Sequence, residues 1–378
     1  MEGKLLFDLE CTQPAPWAKR HGGGIYGEIV LRKLIENNAE LVVYYNSDRW
    51  LNPDILQLCQ SAATVLLVDR KDMSISDIFA EYGCKRLFSP LPGNEFINFQ
   101  HDKIGVIHGL RSLELNYDSH SRKYPLISFK RRLKFMAESL FPTFMKSRHK
   151  RDYSKIIDSG NFIVVSNHTA AAIKVWFPQT RQKKIEVFYS PSTVSDDFVE
   201  GYKSAEPYIL MVSGNRWEKN TIRAIQAIEK LIDNHMLDNL SVYITGLKDF
   251  KELKHKMKYP ERFRALGYVD DDILRSLYKS AYAFIYPSLN EGFGYPPLEA
   301  MHYGVPAAVS ATSSIPEICG DGVLYFNPYD INEIANRIVQ LTDQDTRQRL
   351  SAQGKSRADF IRAKQEIDLE KLSQYLTR

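Results

Sequence analysis

The sequence predicts an α/β protein with two parallel sheets and helices on both faces of each. Three observations support this class. Short apolar runs typical of buried strands alternate with helical segments along the whole chain. The length, 378 residues, is enough for two domains of ordinary size. A turn-rich segment, Tyr189 to Pro207, divides the chain into two halves that repeat the same alternation.

The predicted strands are short and apolar, and the predicted helices between them have apolar residues near the helical period. The strands predicted in the first half are KLLFDL, ELVVYY, ATVLLV, KIGVIH, NFIVVS and KIEVFY. Those in the second half are YILMVS, LSVYITG, AYAFIYPS and VPAAVS. The predicted helices include IYGEIVLRKLIEN, NTIRAIQAIEKLIDN, DDILRSLYKSA and INEIANRIVQLT.

Composition and targeting signals favour a cytoplasmic protein. Apolar residues make up 44% and charged residues 25% of the chain, which is typical of soluble globular domains. No apolar run has the length of a membrane span, and the N-terminal MEGKLLFDLECTQ carries acids that a signal peptide lacks. The four cysteines show neither disulfide nor metal spacing, as expected in a reducing compartment.

The stretch SLNEGFGYPPLEAMHYGVP, from Ser288 to Pro306, predicts a ligand site. It follows a buried strand, so Glu291 is expected in a loop and Glu299 in the first turn of the next helix. Gly292 and Gly294 allow the backbone to approach a ligand, and the helix start directs N–H groups at an anion. Two carboxylates accept hydrogen bonds from hydroxyls. A nucleotide sugar has both phosphates and hydroxyls.

This stretch resembles the Glu-x7-Glu motif of family 4 glycosyltransferases, which are retaining enzymes of the GT-B fold. The resemblance continues through SATSSIPEICGDGVLYFNPYDINEIANRIVQL downstream, and through VSGNRWEKN and LGYVDDDILRSLYKSAYAFIYPS upstream. It is dense over about residues 205 to 345. It implies two Rossmann-like doubly wound domains that face each other across a cleft. The expected domains are 1–195, joined by a C-terminal helix of about 360–378, and 196–359.

The resemblance also implies an activity and a set of ligands. We expect transfer of a hexose, with retention, from a UDP or GDP type sugar to a hydroxyl of a glycan or lipid-linked acceptor. Such reactions belong to polysaccharide or glycolipid biosynthesis. The family needs no bound metal or other cofactor for its chemistry, because basic side chains and helix starts carry the charge of the diphosphate.

The resemblance assigns roles to residues of the second domain. Glu299 is expected to bind the ribose hydroxyls, while Glu291 and the N–H groups of Phe293 and Gly294 hold the sugar and the distal phosphate. Lys219 is expected to neutralise the leaving diphosphate.

Three further donor-binding assignments are less direct. Gly292 belongs to the loop of the glutamate motif. Tyr268 is expected to line the pocket of the base. The family usually has an arginine just after the strand-end glycine, and that position is Gly214 here. Arg216, two residues later, is the candidate replacement.

The first domain supplies three candidates. In HGGGIYGEIVLRKL, Gly23 and Gly24 precede a helix and are expected to touch the donor phosphate; a plain flexible loop is the alternative. His108 ends a buried strand, where either contact with the transferred sugar or a structural role is open. Ser166 ends a later strand, where the resemblance implies a similar contact. His168 is expected at the surface.

Two clusters of charge have competing interpretations. VDDD, Val269 to Asp272, suggests a metal site, but an Asp before a helix is also an ordinary N-cap, which we favour. Residues 122–155 contain eleven Lys/Arg and two acids, giving +9 in a chain of net +4, so the remainder is −5. Without a nucleic-acid motif, we expect either peripheral contact with the anionic inner face of a membrane or a solvated basic face.

Other functions remain open at the level of sequence. One is a glycogen-synthase-like or sucrose-type transferase with a soluble acceptor. Another is a non-catalytic subunit that binds a nucleotide or a glycan. A third is an NAD-dependent Rossmann enzyme built on GGGIYG, with Glu36 or Glu40 at the ribose. The last leaves the second half of the chain unexplained.

Overall fold

The structure is a computed structural model that describes residues 3–14, 22–71, 73–116, 118–124, 140–194, 200–237, 239–253 and 255–378. The chain divides into two compact units. One comprises Met1–Leu110, Arg148–Thr193 and Ala363–Arg378, and the other comprises Arg111–Ser147 and Val194–Arg362. The boundary predicted between 195 and 196 lies outside the described residues. The described residues among 111–147, which the sequence division places in the first domain, cluster with the second unit.

The first unit contains a seven-stranded sheet in which every pairing between neighbours is parallel. The strand order is β3-β2-β1-β4-β5-β6-β7. The strands are β1 (Lys4–Asp8), β2 (Leu41–Tyr45), β3 (Val65–Asp69), β4 (Cys84–Ser89), β5 (Lys103–Ile107), β6 (Asn161–Val164) and β7 (Glu186–Val187). The sequence did not predict β4, whose centre carries two basic residues.

The second unit contains a six-stranded sheet, again with parallel neighbours, in the order β10-β9-β8-β11-β12-β13. The strands are β8 (Tyr208–Met211), β9 (Ser241–Thr245), β10 (Phe263–Gly267), β11 (Ala283–Tyr286), β12 (Ala307–Ser310) and β13 (Leu324–Phe326). The two edge strands, β10 and β13, were not predicted. The predicted class, two doubly wound α/β sheets, is confirmed.

Helices connect the strands and cover the sheets. The α-helices up to the second sheet are α1 (Gly22–Glu36), α2 (Pro53–Ser61), α3 (Ile75–Glu81), α4 (Asn94–Asn98), α5 (Arg111–Glu114), α6 (Pro142–Ser159) and α7 (Asn167–Trp176). The later ones are α8 (Thr221–Asp233), α9 (Asp271–Ser280), α10 (Tyr295–His302), α11 (Ile315–Cys319), α12 (Ile331–Gln340) and α13 (Gln344–Thr377). The division between the units falls within α6 and α13.

The strands are apolar because both faces of each sheet are covered, as parallel sheets require. All four residues of β11 and of β12 are buried. Helix α8 buries Ile222, Ile225 and Ile228 in a core that also includes Ile244 and Ile285. This packing fixes where the strands end, and the strand ends carry the polar side chains described below.

The strand order reverses direction once in each sheet. In the first, the chain moves outward from β1 on one side and returns to β4 on the other; in the second, β8 and β11 are the corresponding neighbours. In open α/β sheets, ligands bind beyond the carboxyl ends of the strands at such a switch point. The ends of β1 and β4, and of β8 and β11, are therefore the places to look for sites.

No helix among the described residues is long and apolar enough to cross a membrane. The cysteines are free thiols: Cys59, Cys84 and Cys319 are buried and Cys11 is partly exposed.

Candidate active site

Two segments meet beyond the switch point of the second sheet. A 3-10 turn, Trp217–Lys219, follows β8, and the loop that begins at Pro287 follows β11. The Leu289 N–H donates to the Glu218 carbonyl at 2.7 Å, and Ser288 Oγ lies 3.2 Å from the same oxygen. This docking brings Lys219 and Glu291 together although they are 72 residues apart.

Lys219 and Glu291 form a buried ion pair. Lys219 Nζ lies 2.5 Å from Glu291 Oε1, and the two side chains are 5% and 10% exposed. The Tyr286 hydroxyl donates to the same Oε1 at 2.7 Å, and Ser288 Oγ donates to it at 2.5 Å. Lys219 Nζ also donates to the Tyr286 hydroxyl at 2.6 Å. The carboxylate is thus held by one cation and two hydroxyls.

Burial and neighbouring charges shift the pKa values of both partners. Burial alone would raise the pKa of Glu291, but the charges of Lys219 and Arg111 and the bonds from Lys219 and Ser288 outweigh it and lower the pKa to about 2. Burial lowers the pKa of Lys219 to about 8; Glu291 opposes this shift, while Arg216 and Arg111 add to it. Both groups are therefore charged at neutral pH.

The loop around Glu291 is fixed by hydrogen bonds between its backbone and two serine side chains. The Glu291 N–H donates to Ser313 Oγ at 2.8 Å, and Ser314 Oγ lies 2.8 Å from the carbonyl of Phe293, whose side chain is buried. Gly294 has φ of 112°, a conformation that favours glycine, and it is the N-cap of α10. The partly buried Gly292 completes the turn between the strand and the helix.

Glu299 lies one turn further along the helix than expected. Helix α10 begins at Tyr295, with both prolines inside its first turn, so the expectation that Glu299 lies in that turn is wrong. Proline fits the first helical positions because its N–H is not needed there. Glu299 is half-buried. Burial of the Tyr278 hydroxyl, followed by the negative charge of Glu299, raises the pKa of that hydroxyl well above its usual range.

Glu218 contacts two arginines, the candidate Arg216 and the unpredicted Arg111. Arg216 Nε lies 3.4 Å from Glu218 Oε1, and Arg111 NH1 donates to the same oxygen at 3.0 Å. At the family's arginine position, a Cβ added to Gly214 would lie 2.5 Å from Ile244 Cγ2. A larger residue there would require that side chain to move.

The start of α8 is occupied by protein groups. The Ile222 N–H donates to the Tyr124 hydroxyl at 2.8 Å. Arg223 pairs with Asp118 and donates to Asn220 Oδ1 at 2.9 Å. The Ile222 N–H at this helix start is therefore satisfied within the protein.

The glycines of the first unit lie within helix α1 rather than in a loop before it. The described helix begins at Gly22 and includes Gly24, which is buried. A Cβ on Gly23 would lie 2.7 Å from Leu91 Cδ2, and one on Gly27 would lie 2.5 Å from Thr12 Cγ2. At Gly23 and Gly27, glycine therefore serves close packing of the helix start.

His108 and Ser166 make structural contacts within the first unit. His108 Nε2 donates to the Pro90 carbonyl at 2.9 Å, and its ring packs edge-on against Tyr26 at 4.9 Å between centroids. Ser166 is the N-cap of α7, and its Oγ accepts the Thr169 N–H at 3.2 Å. His168 is half-buried. These contacts account for His108 and Ser166 without testing a ligand role.

The remaining candidates lie beyond β10. Tyr268 is exposed directly after this strand. Asp270 is the N-cap of α9, as favoured for VDDD, although its side chain makes no capping bond. Asp272 pairs with Arg275. Among the described residues, no group of three or more His, Cys, Asp or Glu is arranged to hold a metal ion.

Sequence reasoning missed four residues of the site: Tyr286, Ser288, Glu218 and Arg111. The first two carried a signal, because a hydroxyl at the end of an apolar strand marks the ligand-binding edge of a parallel sheet. Glu218 and Arg111 carried none, since their contact joins segments 107 residues apart.

Comparison with known proteins identifies a related family. The family described as glycosyl transferases group 1 matches residues 194–357. The matched range contains Lys219, Glu291 and Glu299, so the resemblance seen in the sequence is confirmed there.

Two curated relatives are mannosyltransferases by name. The O-antigen chain mannosyltransferase B of Escherichia coli is 46% identical over 96 residues, covering 25% of this chain and 25% of the relative. The O-antigen chain mannosyltransferase RfbU of Salmonella typhimurium is 32% identical over 152 residues, covering 39% of this chain and 41% of the relative. The chain thus spans less than half the length of each of these relatives.

A solved structure shows the fold. Anabaena Alr3699/HepE, solved in complex with UDP and glucose, has a TM-score of 0.63 at 13% identity, covering 98% of this chain and all of that one. The predicted GT-B fold class is confirmed.

Proposed function

We propose that this protein is a retaining glycosyltransferase that moves a hexose from a UDP or GDP type sugar to a hydroxyl of a glycan or lipid-linked acceptor. The observation that carries the proposal is the buried Lys219–Glu291 pair at the switch point, inside the family-matched range. The relatives named as O-antigen chain mannosyltransferases support polysaccharide or glycolipid biosynthesis as the setting and a mannosyl donor as the first to test.

The charges of the site suit departure of a nucleoside diphosphate. Negative charge grows on the leaving phosphate as the sugar bond breaks, and a fixed cation nearby stabilises that transition state. Lys219 is preoriented for this by Glu291 and Tyr286, at 2.5 and 2.6 Å. In this proposal, Glu291 and the N–H groups of Phe293 and Gly294 face the sugar and distal phosphate. Glu299 binds the ribose.

We propose that transfer needs no metal ion or other cofactor. The support is that cationic side chains already lie at the site, where they take the place that Mg²⁺ holds in other phosphate-binding enzymes. Turnover is expected to continue in excess EDTA. Complete loss of turnover in EDTA, with recovery on adding Mg²⁺ or Mn²⁺, would contradict the proposal.

A panel of UDP and GDP sugars, including mannosyl and glucosyl donors, tests the activity. The expected result is thermal stabilisation by one nucleoside diphosphate and slow release of that nucleotide from its sugar, with water as acceptor. NMR of the released sugar then reports whether the anomeric configuration is retained. Stabilisation by NAD alone would favour an oxidoreductase, and nucleotide binding without any turnover would favour a non-catalytic subunit.

We further propose that the protein works in the cytoplasm at an anionic membrane surface. Four basic residues of the stretch 122–155 lie outside the described residues: Lys130, Arg131, Arg132 and Lys134. In the described part of the basic stretch, Phe141 and Phe144 are 62% and 66% exposed around the start of α6. The basic residues that follow are Lys146, Arg148, Lys150, Arg151 and Lys155. Aromatic and basic side chains together suit a headgroup boundary.

Sedimentation with liposomes tests this contact. Binding to anionic vesicles is expected at low salt and much less at high salt. The double variant Phe141→Ser, Phe144→Ser should bind less, whereas Phe360→Ser, at an exposed phenylalanine of α13, is the matched control. Indifference of the wild type to anionic vesicles at low salt would contradict the contact.

A further inference from the structure

Arg111 is a cation of the candidate site that lies outside the family-matched residues 194–357. It begins α5, and its NH1 donates to Glu218 Oε1 at 3.0 Å. The described residues offer its guanidinium this one acceptor, and its Nε is buried without a hydrogen-bond partner among them. A guanidinium has five N–H donors, so most of its donor capacity is unused.

Arg216 shares the same carboxylate oxygen. Its Nε lies 3.4 Å from Glu218 Oε1. The side chains of Arg111 and Arg216 are 40% and 48% exposed, whereas that of Glu218 is 11% exposed. A buried carboxylate therefore holds two accessible guanidinium groups side by side. One carboxylate between two guanidinium groups leaves one positive charge in excess, and an anionic ligand could neutralise it.

The charges in direct contact do not balance. Arg111, Arg216 and Lys219 are cations, and Glu218 and Glu291 are anions, so three positive charges meet two negative ones. The surplus positive charge is on the exposed side, because the Lys219–Glu291 pair is buried. Arg111 also acts on that pair: its charge lowers the pKa of both partners.

The family position for an arginine is closed here. A Cβ on Gly214 would lie 2.5 Å from Ile244 Cγ2, and the Gly214 N–H is bonded to the Thr245 carbonyl at 2.8 Å. Gly214 therefore contributes no side-chain charge to a ligand.

We propose that Arg111 and Arg216, bridged by Glu218, bind the diphosphate of the nucleotide donor in place of an arginine at Gly214. The planar fork of a guanidinium matches two phosphate oxygens, and one arginine for each phosphate suits a diphosphate. No covalent step passes through either side chain; they neutralise the charge of the leaving group. This assignment rests on the proposed function and names the residues that would recognise its substrate.

Calorimetry with a nucleoside diphosphate and the monophosphate of the same base tests the assignment. Arg111→Ala should weaken binding of the diphosphate about tenfold or more, as expected for lost bonds to a charged group, and change monophosphate binding much less. Arg216→Ala should behave in the same way. Arg349→Ala, at an exposed arginine of the same unit, is the matched control.

The ratio of the two affinities separates recognition from a structural role. If Arg111 only stabilised the fold, its loss would weaken both ligands equally, and that result would overturn the assignment, as would unchanged binding of both. Arg111→Lys keeps the charge and should fold even if the alanine variant does not; an intermediate loss confined to the diphosphate is expected. If the wild type binds neither UDP nor GDP, the proposed function itself fails. If it binds one of them and Arg111→Lys leaves the ratio unchanged, only the present assignment fails.

Discussion

The two units each have a buried carboxylate at the switch point of their sheet, and the partners of these carboxylates differ. Glu291 follows β11 and is paired with Lys219, which follows β8. Asp8 ends β1 and accepts a bond at 2.7 Å from Ser89 Oγ, at the end of β4. Its other oxygen accepts the Cys11 N–H at 3.0 Å. The same topology thus carries a carboxylate paired with a cation in one unit and a carboxylate bonded to a hydroxyl and an N–H in the other.

The partners decide the charge of each site. Burial raises the pKa of Asp8, and the bonds from Ser89, Cys11 and Tyr44 do not compensate. For Glu291, the cations outweigh burial and lower the pKa. The Glu291 carboxylate is therefore held chiefly by cations, which suit an anionic ligand nearby, whereas the Asp8 carboxylate is held by neutral donors. This difference agrees with a diphosphate donor in the second unit.

Removing the Lys219 cation has the largest expected effect on the free energy of unfolding. Lys219→Met leaves the Glu291 carboxylate buried and unpaired, which is expected to cost about 3–5 kcal/mol of the free energy of unfolding. The double variant Lys219→Met, Glu291→Gln should recover part of that loss, measured by urea denaturation as a double-mutant cycle. Lys258→Met breaks an exposed pair with Asp233 and should change stability little. Additive losses in the cycle would contradict the ion pair.

The central part of this comparison could be predicted from sequence, because it rests on local patterns. Short apolar runs bounded by turn residues predicted β8, β9, β11 and β12. The position of Glu291 in a loop was predicted because it directly follows such a run. The edge strands β10 and β13 were not predicted, because a strand at the edge of a sheet needs fewer apolar residues than a central strand. Strand β4 escaped because Lys85 and Arg86 interrupt its centre, and both donate to carbonyls of α13.

Long-range partners could not be predicted. Lys219 and Glu291 were each singled out, but not their direct contact, which depends on how two loops dock. The pairing of Arg111 with Glu218 and the closure of the α8 start by Tyr124 depend on residues 111–124 folding against the second unit. Nothing in the local sequence pattern of those residues indicates that they belong to the second unit rather than the first.

Opposite pH dependences of two variants would sharpen the contrast between the carboxylates. The pKa of Glu291 falls from 4.5 to about 2 on folding, so its ionised form stabilises the fold above pH 4.5 by about 3 kcal/mol, and this is lost as the pH falls through that range. The pKa of Asp8 rises on folding, so its contribution is present at low pH and is lost as the pH rises through the raised value. Glu291→Gln should therefore destabilise most at pH 7, and Asp8→Asn most at low pH.

Urea denaturation of wild type and both variants between pH 3 and pH 7 measures these two slopes. Each variant serves as the control for the other, because both replace a buried carboxylate by its amide. Slopes of the same sign would show that the partners of the two carboxylates do not set their charge.

The next effect concerns the two glutamates of the second unit. Glu299→Ala removes acceptors for ribose hydroxyls and should weaken nucleoside diphosphate binding by about 1–3 kcal/mol, with little effect on kcat. Glu291→Ala should instead lower kcat, because it lies at the sugar in the proposed arrangement. Calorimetry and turnover rates measured on the same preparations separate the two. Unchanged kcat in the Glu291 variant would place the sugar elsewhere.

The smallest effect is a titration of Lys219. Its pKa is lowered to about 8, chiefly by burial, so the charged fraction falls as the pH rises through this value. If that charge binds the diphosphate, affinity should be constant below the pKa and fall about tenfold between one unit below it and one unit above it. Lys219→Arg is the control, because a guanidinium stays charged throughout this range and its affinity should not change. Bound diphosphate favours the charged lysine, so the pKa of Lys219 itself should rise as the nucleotide concentration increases. A wild-type affinity that is independent of pH across this range would mean that Lys219 does not face the phosphates, and that the cations around Glu218 carry their charge alone.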